Sequence, residues 1–181
     1  MRPARVLLLW ATALPLLCGE TGARGVVPEY RAKAAFLYNF GRYVEWPPGA
    51  FPEPDSPFVI GVLGRDPFGS QLDDLVADRS IDGRRIVVRR FRRAGDVRAC
   101  QILFISRSER ERLAQILGHL RKTSTLTVSE AESFLQRGGM ICFVLASNRI
   151  RLAINPDAAA RAGLKIKSQL LGLHGIAIER H

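Results

Sequence analysis

The chain has 181 residues, with 27 Lys and Arg against 17 Asp and Glu, and so a net charge of +10. A field of that size steers association with acidic partners, either a protein face or anionic lipid headgroups. Nucleic acid is set aside, because the chain carries no helix-turn-helix, zinc-finger or RNP signature and reads as secreted.

In chain order, Arg2 and Arg5 precede an apolar run from Val6 to Leu17, and small residues follow in "CGETGARG". That is the order of a secretory signal peptide. The run is shorter than the roughly 20 residues that a spanning helix needs. Thr21 and Ala23 suit small-x-small cleavage, which places a signal peptide at 1–23 and one α/β domain at 24–181. A lipidated start at Cys18 ranks lower, since Leu17 is large where that processing wants a small side chain. Removing residues 1–23 takes away Arg2, Arg5 and Glu20, so the charge falls by one. No second long apolar run follows, and the mature protein is expected to be secreted and soluble.

Phe36, Leu37, Phe40, Tyr43 and Val44 recur at helical spacing and predict an N-terminal amphipathic helix, ended at Trp46 by Pro47 and Pro48. Lys33 falls inside the buried stripe, so its charge must either snorkel past the helix start or find a partner such as Glu29. Tyr38, Asn39, Arg42 and Trp46 lie off the stripe, where they form either a solvated face or an interaction surface. After a proline-stiffened loop, Phe58–Gly64 reads as a buried strand, and Asp66 and Pro67 as the cap and first residue of a helix. Arg84–Phe91 is a second strand bracketed by arginines, and Gln101–Ser106 a third. Ser106 and Glu109 suggest a capping box, followed by a helix that buries Leu113, Ile116, Leu117 and Leu120. "TLTVS" is a short strand. Ser129 and Glu132 suggest a second box opening a helix that Gly138 and Gly139 close. "MICFVLASNRIRLAIN" reads as two strands turning at Ser147 and Asn148. Asn155 and Pro156 start a helix that Gly163 stops, and "LKIKSQLLGLHGI" fits either a strand or a short helix. This alternation predicts an α/β three-layer sandwich with a mixed, mostly parallel sheet.

Catalytic chemistry is hard to find. Ser106 stands at a strand end but lacks the flanking glycines of a nucleophile elbow. His119, His174 and His181 are isolated, and no metal-ligand spacing exists. The turn with Gly64, Arg65 and Ser106 is the right context for a weak anion site, although a tight strand-to-helix turn also explains Gly64. Arg89 and Arg90 lie on the second strand, and Arg92 and Arg93 just after it, which suggests that this strand is at or near a sheet edge. There they either block unwanted pairing or form a site for an acidic partner. Cys100 and Cys142 fall on strands two places apart, about 9.5 Å, where a disulfide tolerates roughly 7 Å between Cα atoms, so they are expected not to bridge.

"YRAKAAFLYNFGRYVEWP", "VIGVLGRDPFG", "CQILFISRSE", "TLTVSE", "GGMICFVLASNRIRLAIN" and "AGLKIKSQLL" occur in an order and spacing that resemble the YfiR/HmsC-like periplasmic proteins, from about Tyr30 to Leu173. The resemblance implies a periplasmic regulator. It would bind the periplasmic domain of an inner-membrane signalling enzyme, typically a diguanylate cyclase, and hold it inactive, so lowering cyclic-di-GMP and biofilm output. It further implies no enzyme activity and no cofactor in this chain, and members that can form homodimers or carry disulfides. With only Cys100 and Cys142 in the mature chain, a scheme of two intrachain bridges cannot be complete here. Lys165 and Lys167 flank Ile166 where the family often has small or polar residues. A second reading, from the same secreted α/β architecture, is a ligand-sensing accessory protein of another envelope signalling or transport system.

Overall fold

The structure, a computed structural model, describes residues 26–147, 149–171 and 176–178. The expected signal peptide, Asn148, His174 and His181 lie outside the described residues. The elements run α1 (Val26–Tyr43), β1 (Val44–Glu45), β2 (Phe58–Leu63), α2 (Gln71–Val76), β3 (Ser80–Ile81), β4 (Arg84–Phe91), β5 (Ile102–Ile105), α3 (Leu113–Leu120), β6 (Leu126–Ser129), β7 (Ile141–Ala146), β8 (Arg149–Ile154), α4 (Pro156–Arg161), β9 (Lys165–Ile166), α5 (Ser168–Leu171) and β10 (Ile176–Ile178).

The main sheet has the order β10-β8-β7-β6-β5-β2-β4-β3. β4, β2, β5, β6 and β7 are mutually parallel, while the β7–β8 hairpin and the short β3 make the sheet mixed. Every residue of β2 is buried, as a central parallel strand covered on both faces requires. Phe58, Ile60 and Val62 share one core with α1, α2 and α4 through Leu37, Phe40, Leu72 and Ala159. Val59 and Leu63 pack on the other face with Leu103 and Ile105, beneath Leu113, Ile116, Leu117 and Leu120 of α3. The result is the three-layer α/β sandwich expected from the sequence. Gly61 points at that second face, where a Cβ would come within 2.8 Å of Cys100 Sγ, Leu103 and Phe91.

Several boundaries differ from expectation, each for a local reason. The N-terminal helix ends at Tyr43, because Val44 and Glu45 leave it to pair antiparallel with β9. Asp66 does not cap a helix; its carboxylate accepts the Phe68 N–H at 2.7 Å, a turn that sends the Phe68 ring onto Phe104 at 4.9 Å. The helix therefore begins only at Gln71. Ser106 does cap, accepting from Ser108 N–H, but the turn it opens is 3-10 from Arg107 to Arg112 and α3 starts after it. Its own N–H donates to Leu63 O at 3.0 Å, so Glu109 has none to reach back to and pairs instead with Arg112.

Residues 131–139 form turns rather than the expected helix. Ser133 lies within it at φ 57°, in the left-handed region, and a right-handed helix cannot run through such a residue. Asn155 caps α4 as read, accepting the Ala158 N–H at 2.9 Å, and Gly163 leaves it at φ 75°. The final segment contains both a strand and a short helix. Cys100 and Cys142 are buried and not bridged to each other, with β6 between their strands.

Candidate functional site

The strand order reverses at β2. The chain passes from β2 outward to β4, then back across to β5, leaving a crevice at the C-terminal ends of β2 and β5. In open α/β sheets such a switch point is where ligands bind. The structure brings Gly64, Arg65 and Ser106 together there. Gly64 adopts φ 90°, and any Cβ on it would lie 2.5 Å from Ser108 Oγ. Only glycine lets the two loops approach this closely. The Arg65 N–H donates to Ser108 Oγ at 2.9 Å, which ties the loops together. Ser106 itself is buried, and its hydroxyl is engaged by the Ser108 N–H. The crevice holds about 490 Å³ and is lined by Tyr30, Arg65, Ser106, Arg107, Arg110 and Glu130.

Its inner wall is a buried charge cluster. Lys33, 2% exposed, forms ion pairs with both Glu29 and Glu130. Glu130 also accepts the Tyr30 hydroxyl at 2.9 Å, and Arg107 Nε lies 3.5 Å from its carboxylate. Burial, then the Glu130 carboxylate, pushes the Tyr30 phenol well above its ordinary value. A lysine in an apolar stripe signals that partners exist, and Glu29 is readable one helical turn away. Glu130, 97 positions on, is not.

The arginines of the β4 region separate into two sets. Arg90 is exposed but tied to the fold, bonding Asp66 at 2.7 Å, Asp73 at 2.5 Å and the Gly69 carbonyl at 2.8 Å. This holds the Asp73 carboxyl below the usual carboxylate range. Arg89, Arg92 and Arg93 are exposed, and no carboxylate among the described residues lies within ion-pair distance of them. β4 is separated from the sheet edge only by the two-residue β3, as the arginine bracketing suggested.

The outward set on α1 also divides. Arg42 is exposed, and Asn39 and Tyr38 are half-buried, with the Arg79 guanidinium 4.9 Å over the Tyr38 ring. Trp46 is anchored to the fold: its indole N–H donates to Gln101 O at 3.2 Å, and its ring meets Phe58 edge-on at 5.1 Å. No hydrogen bond or ion pair among the described residues joins this set to Arg89, Arg92 and Arg93.

Val144 and Leu145 were not singled out from sequence, yet they are 41% and 55% exposed at the outer end of the β7–β8 hairpin. The apolar run "CFVLA" marks a strand but does not reveal that the hairpin projects past its neighbours. Among the described residues, no group of three His, Cys, Asp or Glu is placed to hold a metal, and no helix is long and apolar enough to cross a membrane. A family model described as YfiR/HmsC-like matches residues 30–174. No curated protein matches the chain.

Proposed function

The chain belongs to the YfiR/HmsC-like family, known for periplasmic regulation of cyclic-di-GMP signalling, and from that premise we propose that it is a periplasmic binding protein that represses an inner-membrane diguanylate cyclase. The observation that carries this reading is the family match across residues 30–174. In the proposed mechanism it binds the cyclase's periplasmic domain and performs no chemistry itself. It shifts the cyclase only as far as it binds the inactive state more tightly than the active one. Exposed Arg42, Arg89, Arg92 and Arg93, together with Val144 and Leu145, offer charge for steering and apolar area for contact. Deleting the gene is expected to raise cyclic-di-GMP and biofilm formation. An unchanged cyclic-di-GMP level refutes the cyclase version.

The crevice at Gly64, Arg65 and Ser106 favours a second reading, a ligand-sensing accessory protein of another envelope system. Under that reading a small anion at the strand ends stabilises the purified domain, and Arg65→Ser removes the effect. No thermal shift with phosphate or carboxylate anions removes that reading.

A further inference from the structure

The switch-point crevice does not end at β5. A second concavity of about 470 Å³ shares Arg107 and Arg110 with it and extends to Arg137. A third, of about 290 Å³, shares Arg137 with the second and reaches Arg121 and Arg161 at the end of α3 and on α4. Together they run between the α3 segment and the turns at 131–139, from Glu130 just after β6 round to Arg161 on α4 of the opposite layer.

Two features define what such a groove accepts. Its walls carry Arg65, Arg107, Arg110, Arg137, Arg121 and Arg161. The exposed carboxylates against them are Glu111 and Glu132, and Glu111 sits 3.8 Å from Arg110. Glu130 is already satisfied by Lys33 and Tyr30. Among the described residues, Arg65, Arg121, Arg137 and Arg161 have no carboxylate within ion-pair distance. The wall is therefore cationic along its length. The floor of the third concavity, by contrast, is apolar, made by Leu117, Leu120 and Met140.

We propose that this groove binds an extended acidic segment of the partner protein, with one large apolar side chain seated over Leu117, Leu120 and Met140. The inference rests on the reading of the chain as a partner-binding regulator and names the chemistry of the segment bound. An extended segment places successive side chains roughly 3.3 Å apart along its axis, so a short one meets several wall residues in turn. Guanidinium groups spaced along the wall pair with successive carboxylates, and the apolar pocket fixes the register. The contiguity of three concavities distinguishes this arrangement from a site for one small anion. The apolar end distinguishes it from a flat surface for lipid headgroups.

The probe is a short fluorescein-labelled peptide of alternating Asp and Glu ending in an amidated leucine, titrated by anisotropy against the purified mature protein. Saturable binding is expected, weakening by about tenfold or more in Arg110→Ser/Arg137→Ser/Arg161→Ser and unchanged in Arg89→Ser/Arg92→Ser/Arg93→Ser. Replacing the peptide's leucine by serine is expected to cost roughly tenfold. Should the first variant lose its cooperative melt, Arg137→Ser alone, at the junction of two concavities, carries the comparison.

The proposal is overturned by no binding at low salt, by equal loss in both triple variants, or by full competition from millimolar inorganic phosphate, which marks a small-anion site. It is equally overturned by retention on phosphatidylglycerol vesicles through the same arginines without peptide binding. A deletion strain with unchanged cyclic-di-GMP and intact peptide binding sinks the cyclase reading alone. Raised cyclic-di-GMP without peptide binding sinks the groove alone.

Discussion

Replacing Lys33 with methionine removes one charge from a buried cluster while keeping most of the apolar stem. Lys33 is 2% exposed, and its ammonium pairs with Glu29 and with Glu130, whose side chain is 3% exposed. Removing one partner of a buried ion pair typically costs about 3–5 kcal/mol, because the other charge is left uncompensated. Glu29 is 25% exposed and can turn to solvent, and Glu130 keeps Tyr30 at 2.9 Å and Arg107 at 3.5 Å. The lower end, about 3 kcal/mol, is therefore expected. For a domain of this size each kcal/mol shifts Tm by roughly 2–4 °C, so Lys33→Met should melt about 6–12 °C lower than the parent at pH 7, followed by circular dichroism. Adding Glu130→Gln removes the stranded carboxylate, and the double variant should recover at least half of that loss. A Lys33→Met Tm within about 2 °C of the parent, or a double variant lowered by the sum of the single effects, refutes the reasoning.

Arg90→Ser should cost up to about 1 kcal/mol, since the pair with Asp73 is substantially exposed. Because Arg90 depresses the Asp73 carboxyl, that stabilisation is present at neutral pH and lost as pH falls through the depressed value. The Tm gap between parent and variant should accordingly shrink in acid, and a gap that widens contradicts the assignment. Gly64→Ala places a Cβ at φ 90° and 2.5 Å from Ser108 Oγ, and should cost at least about 1–3 kcal/mol in a denaturant melt. In a Cys142→Ser background, Cys100 should not react with a thiol reagent at pH 8 until guanidinium is added, because burial pushes its thiol up to about 12. Rapid labelling of the native protein would show that the site opens.

The proposed groove and the proposed repressor role fit together physically. Exposed arginines accelerate encounter with an acidic partner, while the apolar pocket at one end sets how long the complex lasts. Arg90 is excluded from that work, because its guanidinium closes the turn between β2 and α2. Trp46 is similarly committed to Phe58 and Gln101, although from sequence it falls outside the buried stripe.

Local chemistry alone settled much of this protein. The buried run of β2, the stripe of α3, the Asn155 cap and the arginine-bracketed strand near an edge follow from periodicity and from side chains bonding within a few residues. The α/β class follows from their alternation. What those signals cannot carry is the meeting of residues far apart in the chain. The helix expected after Ser129 gave way to turns, with Ser133 left-handed at φ 57°. Glu130 meets Lys33, and Asp73 meets Arg90, only because the strand order places their segments side by side. The contiguity of Arg65, Arg110, Arg137 and Arg161 along the proposed groove has the same origin: sequence supplied the charges, and the topology of the sheet decided which of them line adjoining concavities.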